Sequence, residues 1–407
     1  MSPVRRIVQS KKLQHVRYDV RGPILVEAQR LEAEGHKILK LNIGNPAPFG
    51  FEAPDAIVAD MVHHLPEAQG YSDSRGVYEA RTAVAQYYQQ KGLRETTVDD
   101  VFIGNGVSEL ISMVLQAFVD DGNEILVPAP DYPLWTGAVS LSGGTPVHYR
   151  CDEENGWNPD LADIEAKVTP NTHALVVINP NNPTGAVYSA ETVKGLVDIA
   201  RRHQLVVFAD EIYEKILFDG AEHHHAATYA DDDVLCLTFG GLSKAYRVCG
   251  YRAGWVMVSG PKEIATDFLE GLTLIANMRM CSNVPAQHAI QTALGGYQSI
   301  EEYIGPGGRF YEQSMLADRL LNEIPGVSSV KPRGALYCFP RLDPEVYPIE
   351  DDEAFVIGLL QAKKILVTHG TGFNWFEPDH FRLVTLPDVE VLEEAIGRIA
   401  EHLATLR

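Results

Sequence analysis

Ser243-Lys244 follows an apolar run and a Gly240-Gly241 pair, a setting that gives this lysine options a surface lysine lacks. A lysine held in a partly desolvated site releases its proton more readily and can form a Schiff base with a carbonyl. Arg252 lies eight residues on, ahead of the next apolar run, and its planar fork of donors suits a phosphate. Asp210 closes another apolar run, in Ala209-Asp210-Glu211-Ile212-Tyr213. A carboxylate at a strand end either holds Mg²⁺ beside a nucleotide or orients a catalytic group. The nucleotide reading lacks its partner, because the chain has no G-x-x-x-x-G-K-S/T phosphate loop. A carboxylate can also keep a pyridine nitrogen protonated, and the protonated ring then stabilises a carbanion at a substrate carbon. The third segment is Asn179-Pro180-Asn181-Asn182-Pro183-Thr184-Gly185, a turn-rich stretch straight after a buried run. Asn182 and Tyr213 are each able to donate a hydrogen bond to a phenolate oxygen.

These residues need a scaffold, and the pattern around them supplies one. Val101–Ile103, Glu124–Val127, Ala174–Ile178, Leu205–Ala209, Val234–Phe239 and Gly254–Val258 are short, rich in Val, Ile and Leu, and bounded by turn residues. They read as buried strands. Helical patterns lie between several of them, including Ser108–Val119 and Ala190–His203. Such alternation implies an α/β domain with a mostly parallel central sheet, here of about seven strands flanked by helices. Ligands of such sheets bind at the carboxyl ends of the strands, where this sequence places Asn105, Asp131, Asn182, Asp210, Ser243 and Lys244. Further on, Glu312–Glu323 and Val389–Ala404 read as helices, with strand-like runs at Ala335–Phe339, Ile365–Thr368 and Phe381–Thr385. The expected division is an N-terminal arm with part of a small domain at 1–52, a large domain at 53–304, and a smaller α+β domain at 305–407. The helix pattern Ile24–Ala33 and the run Ile38–Ile43 belong to the first of these.

The combination NPNNPTG, ADEIY and SKAYRVCGYRAGW resembles the fold-type I, class I/II aminotransferases that depend on pyridoxal 5′-phosphate. The order matches, and so do the spacings of 28 residues from Asn182 to Asp210 and 34 from Asp210 to Lys244. The resemblance covers essentially the whole chain. It implies that Lys244 holds the cofactor and shuttles the substrate proton, that Asp210 pairs with the ring nitrogen, and that Asn182 and Tyr213 bond the ring oxygen. Tyr132 would stack on the ring. Ser243 and Arg252 would bind the phosphate together with backbone N–H groups of Gly106, Val107 and Ser108 at a helix start. Arg382 would grip the substrate carboxylate by a bidentate pair, with Gly44 and Asn182 beside it. Tyr71 resembles a tyrosine that reaches the phosphate of a neighbouring subunit, which implies a homodimer with shared active sites.

The segments YDVRGPI, LNIGNPAPFGF and MRMCSNVPAQHAIQTALGG are similar to alanine aminotransferases, and the last two are especially close to the bacterial glutamate–pyruvate type. That similarity implies L-alanine plus 2-oxoglutarate giving pyruvate plus L-glutamate, by a ping-pong mechanism through pyridoxamine phosphate. The pocket must then accept a methyl group and a γ-carboxylate, for which Arg279 and Arg21 are both candidates. Valine–pyruvate, aspartate or aromatic transamination, or a β-lyase on the same cofactor, are the alternatives within the fold. A regulator built on this fold would need a DNA-binding domain, and the aminotransferase-like pattern begins near Tyr18, leaving no room for one.

The remaining features set limits. The net charge of −21 argues against a nucleic-acid partner, since phosphate backbones need basic surfaces. Five scattered cysteines with no CxxC pair fit a reducing cytoplasm rather than a disulfide framework or zinc site. No apolar run is long enough to suggest a membrane span. The basic start (Arg5, Arg6, Lys11, Lys12, Arg17) reads as an exposed arm, with a transit peptide as the other reading. His223-His224-His225 follows Asp219-Gly220 in what reads as a surface loop. Consecutive histidines do not match the usual ligand spacing, so no metal is expected.

Overall fold

The computed structural model describes residues 7–16, 22–93, 95–230 and 232–407. The apolar runs form strands of one sheet: β1 (Val101–Asn105), β2 (Glu124–Ala129), β3 (Thr145–Asp152), β4 (Asn158–Pro159), β5 (Thr172–Ile178), β6 (Val206–Asp210), β7 (Cys236–Gly241) and β8 (Ala253–Ser259). Their order across the sheet is β1-β8-β7-β6-β5-β2-β3-β4. Pairing is parallel through β7, β6, β5, β2 and β3, whereas β8 runs antiparallel to both of its neighbours. The sheet therefore has eight strands where about seven were expected. The additional one, β4, is a two-residue edge antiparallel to β3. Strand β3 itself lacks an apolar run. It lies next to the sheet edge, where much of Thr145–Arg150 stays partly exposed and polar residues are tolerated.

The central strands are buried on both faces. In β5 every residue from Ala174 to Ile178 keeps at most 2% of its surface. Two helices show how the sequence closes these layers. Helix α1 (Val107–Phe118) buries Leu110, Ile111, Met113, Val114 and Leu115. Helix α2 (Ala190–His203) starts at Ser189, whose side chain accepts from the Thr192 N–H, and ends at Gln204 in the left-handed region.

Toward the C-terminus the helices Arg309–Asn322, Asp352–Lys363 and Val389–Leu403 pack around a small antiparallel sheet. Its central strand, Phe381–Val384, lies between Tyr337–Cys338 and Thr368–His369. Leu39–Lys40 pairs in parallel with Ile365–Leu366, which carries the backbone of Asn42 and Gly44 toward this sheet. No helix among the described residues is long and apolar enough to cross a membrane. All five cysteines are free thiols.

Candidate active site

The carboxyl ends of β5, β6 and β7 open onto a cavity of about 270 Å³. Asp210, the last residue of β6, lines it with 3% of its surface exposed. The indole Nε1 of Trp135 donates to Asp210 Oδ2 at 3.0 Å, and the Ile212 amide donates to Oδ1 at 3.4 Å. Burial pushes this carboxyl up to about 6, while those two donors and the charge of Lys244 pull it back down. A cationic partner at Oδ1 or Oδ2 would restore the ionised form.

Lys244 sits beyond β7 because of the Gly-Gly pair before it. A Cβ on Gly240 would lie 2.6 Å from the Trp255 indole, and one on Gly241 would lie 2.9 Å from the Ala253 carbonyl. Only glycines let β7 approach β8 so closely before the chain turns to Ser243-Lys244. The Lys244 ammonium donates to the Gly44 carbonyl at 2.8 Å and lies 5.7 Å above the Tyr213 ring.

The turn-rich loop after β5 is a rigid, buried piece. The Asn179 carboxamide accepts from the Tyr188 amide at 3.0 Å, and Asn181 accepts from the Thr184 hydroxyl at 2.9 Å. Gly185 has φ +73°, and a Cβ there would meet Pro332 at 2.6 Å. This frame presents Asn182, whose Oδ1 accepts from Arg382 Nη1 at 2.9 Å. A guanidinium only donates, so it fixes the amide orientation and leaves the Asn182 NH₂ as a donor. Arg382 is 5% exposed. It also donates to the Asn42 carbonyl, and its guanidinium lies 4.5 Å from the ring centres of both Tyr337 and Phe373. The Tyr213 and Tyr337 hydroxyls are hydrogen-bonded at 2.5 Å, and burial raises the Tyr213 phenol well above its usual value.

The opposite end is built for an anion. Helix α1 begins after Gly106 with no side-chain cap, so its first amides are donors for a ligand. Gly106 has φ +78°, and a Cβ there would lie 2.1 Å from the Arg252 guanidinium. Arg252, itself at φ +58°, donates to the Cys249 carbonyl at 2.9 Å and to the Asn105 carbonyl at 3.1 Å. Ser243, Val107 and Ser108 line the same cavity, as does Tyr132.

The structure thus gathers Lys244, Asp210, Tyr213, Asn182, Tyr132, Val107, Ser108, Ser243, Arg252, Gly44 and Arg382 around one space, with Gly106 directly against Arg252. Tyr71 stands apart, 81% exposed. Arg279 is not on the cavity wall. Its guanidinium is held by Glu109 and donates to the Ser74 and Ile103 carbonyls at 2.8 and 3.1 Å. The sequence candidate for a γ-carboxylate partner is therefore a structural clamp in this fold. Arg21 lies outside the described residues. Asp131 and Asn105 are strand-end residues that also miss the cavity. Asp131 is buried, accepts from Thr136 and Asn374 at 2.7 Å each, and is pushed up to about 7 by burial. Sequence reasoning missed Tyr337, Phe373, Asn42 and Trp135. Trp135 and Asn42 carried a signal, since one follows Tyr132-Pro133 and the other stands two residues before Gly44.

One cavity therefore offers anion donors, a buried carboxylate for a protonated ring nitrogen, a lysine amine for a carbonyl, and a separate arginine for a second carboxylate. Comparison with known proteins agrees with this chemistry. The family model for aminotransferase class I and II matches residues 36–399. The alanine aminotransferase of Mycobacterium tuberculosis is 63% identical over 99% of this chain and 94% of that protein. The glutamate-pyruvate aminotransferase of Escherichia coli is 59% identical over 99% of each chain. The crystal structure of an Escherichia coli aminotransferase superposes with a TM-score of 0.97 at 60% identity, covering 98% of this chain and 99% of that one.

Proposed function

Because the chain belongs to the class I and II aminotransferases, we propose that it transfers the amino group of L-alanine to 2-oxoglutarate, giving pyruvate and L-glutamate reversibly. The substrate reading rests on two relatives named for alanine and glutamate–pyruvate transamination, 63% and 59% identical over nearly the full chain. The family's cofactor is pyridoxal 5′-phosphate, and the donor set fits it. The α1 amides, Ser243 and Arg252 suit the phosphate, Asp210 suits a protonated pyridine nitrogen, and Lys244 suits the aldehyde. When bound, the cofactor supplies an electron sink for the carbanion that develops at the substrate Cα.

The chain's own residues do the rest. Arg382, preset by Asn182, Asn42 and two aromatic rings, binds the substrate α-carboxylate and fixes the direction of the Cα–H bond. With the cofactor held by these residues, the Lys244 amine would take the substrate Cα proton as general base and give a proton back as general acid. Asp210 holds its counter-charge against the ring nitrogen throughout. The second keto acid meets the same groups in reverse order, which makes the kinetics ping-pong. A homodimer belongs to the same reading: Tyr71 is exposed and would reach the phosphate of a second copy. Tyr71→Phe should then weaken cofactor binding, and an unchanged affinity would remove that role. A cytoplasmic setting fits the five free thiols.

The test is a half-reaction. Cofactor-saturated enzyme is given one amino acid at a time with no keto acid, and cofactor absorbance is followed. Alanine and glutamate should each change the spectrum, and pyruvate or 2-oxoglutarate should reverse it. A response confined to another amino acid would overturn the substrate reading and leave the family intact. Ammonia release without an acceptor would favour a lyase.

A further inference from the structure

One residue past Asp210, the carboxylate of Glu211 turns away from the cavity into a second cluster. Its side chain is 3% exposed, and its Oε1 accepts from the Ala226 amide at 3.0 Å. The loop that carries Ala226 also carries His223 and His225, which the sequence reading left on the surface. Both point inward, with 5% and 8% of their side-chain surface exposed, and their rings meet edge to face at 4.6 Å. Glu214 completes the group with 11% exposure, its Oε1 accepting from the Tyr87 hydroxyl at 2.8 Å. One donor atom from each of Glu211, Glu214, His223 and His225 lies within 4.8 Å of the other three.

His223 is the member that ordinary packing does not explain. Among the described residues neither ring nitrogen makes a well-directed hydrogen bond, although Nε2 lies 3.3 Å from Glu211 Oε2. Buried polar atoms almost always find a partner, and an orphan of this kind points to a bound water or ion. Two facing carboxylates and two imidazoles are also a donor set that prefers a cation between them.

We propose that Glu211, Glu214, His223 and His225 form a binding site for one first-row divalent cation, with zinc the best match. Zinc takes four nitrogen or oxygen ligands at about 2.0–2.2 Å, which places ligand atoms about 3.3–3.6 Å apart. His223 Nε2 and Glu211 Oε2 stand 3.3 Å apart, and His225 Nε2 and Glu214 Oε2 stand 3.5 Å apart. His225 Nδ1 lies 2.5 Å from Glu211 Oε2, so in the empty cluster these two atoms share a proton that a bound cation would displace. A divalent charge offsets both carboxylates while the imidazoles stay neutral. Bound there, the ion would pin the 221–226 loop to the turn that carries Asp210 and Tyr213. It touches no substrate group.

The experiment uses tag-free enzyme carrying its cofactor, cleared of metal with a chelator, equilibrated with zinc, desalted and assayed for metal by plasma mass spectrometry. Wild type should retain about one zinc per chain, and the His223→Gln/His225→Gln double variant about tenfold less. Equal retention by the two proteins would overturn the proposal. Because the double variant removes two buried side chains, cobalt-loaded wild type provides a second reading. Intense visible bands of a four-coordinate ion support the site, and a weak six-coordinate spectrum overturns it.

Discussion

Gly44→Ala is a one-carbon perturbation whose consequence can be worked from the structure. A Cβ at position 44 would lie 2.3 Å from the Tyr337 hydroxyl and 3.1 Å from its Cζ. Something must move by about an ångström, and the tyrosine is poorly placed to do so. Its side chain is buried at 2% exposure, its hydroxyl is bonded to Tyr213 at 2.5 Å, and Arg382 lies 4.5 Å over its ring. Overpacking of this kind costs about 1–3 kcal/mol. If Tyr337 shifts instead, the lost hydrogen bond and cation–ring contact come to a similar sum, about 1–3 kcal/mol. Either route disturbs the groups proposed to hold the substrate carboxylate, so kcat/KM should fall by roughly 5- to 150-fold. The assay is steady-state kinetics with alanine and 2-oxoglutarate, with circular dichroism to confirm an intact fold. On a Tyr337→Phe background the nearest hydroxyl is gone, and the same alanine should cost under about threefold, a coupling that a double-mutant cycle measures. A Gly44→Ala enzyme within twofold of wild type, or an equal loss on both backgrounds, would refute the reasoning.

Three further outcomes follow from the same geometry. The Asp210 carboxyl is raised to about 6 in the cofactor-free protein, so stability is lost as pH rises from about 4 through about 6. Asp210→Asn should therefore stabilise the cofactor-free protein above pH 6 by at most about 3 kcal/mol, with the gain fading toward pH 4. Chemical denaturation at the two pH values checks this, and a pH-independent difference would count against it. Arg382→Ala removes charge-assisted bonds worth about 1.5–3 kcal/mol, so kcat/KM should drop on the order of 100-fold with KM raised for both substrates. An unchanged KM would deny its carboxylate role. Arg279→Ala removes the donor shared by Glu109 and two carbonyls while Asn105 still donates to Glu109, so it should lower stability by about 1–3 kcal/mol and impair alanine and glutamate alike. A loss confined to glutamate would restore Arg279 as the γ-carboxylate partner.

Much of the cavity lining was legible because it sits on consecutive residues at strand ends. Asp210, Ser243-Lys244 and the 179–185 loop each follow a continuous apolar run, and such runs mark strands buried on both faces. Strand β3 escaped because a strand near the sheet edge, in Thr-Pro-Val-His-Tyr-Arg, needs no such run. Tyr337 escaped for a different reason. Its role comes from Tyr213, 124 residues away, and from Arg382 across a strand pair, a proximity that no local pattern encodes. Arg279 shows the converse. An arginine in a resembling segment suggested a ligand contact, whereas three protein acceptors already claim it. The histidine run misled because consecutive positions were judged as a unit. Residues 223 and 225 turn together toward Glu211, and only the folded chain brings that carboxylate to them.

The central claim is that Lys244 carries the cofactor, and borohydride tests it most directly. Reduction turns a lysine–cofactor carbon–nitrogen double bond into a stable linkage, which peptide mass spectrometry then locates. The account predicts the added pyridoxyl phosphate mass on Lys244 alone, and none in a Lys244→Ala protein that still folds. Label on another lysine, or an unlabelled Lys244 in enzyme that still turns over, would contradict it.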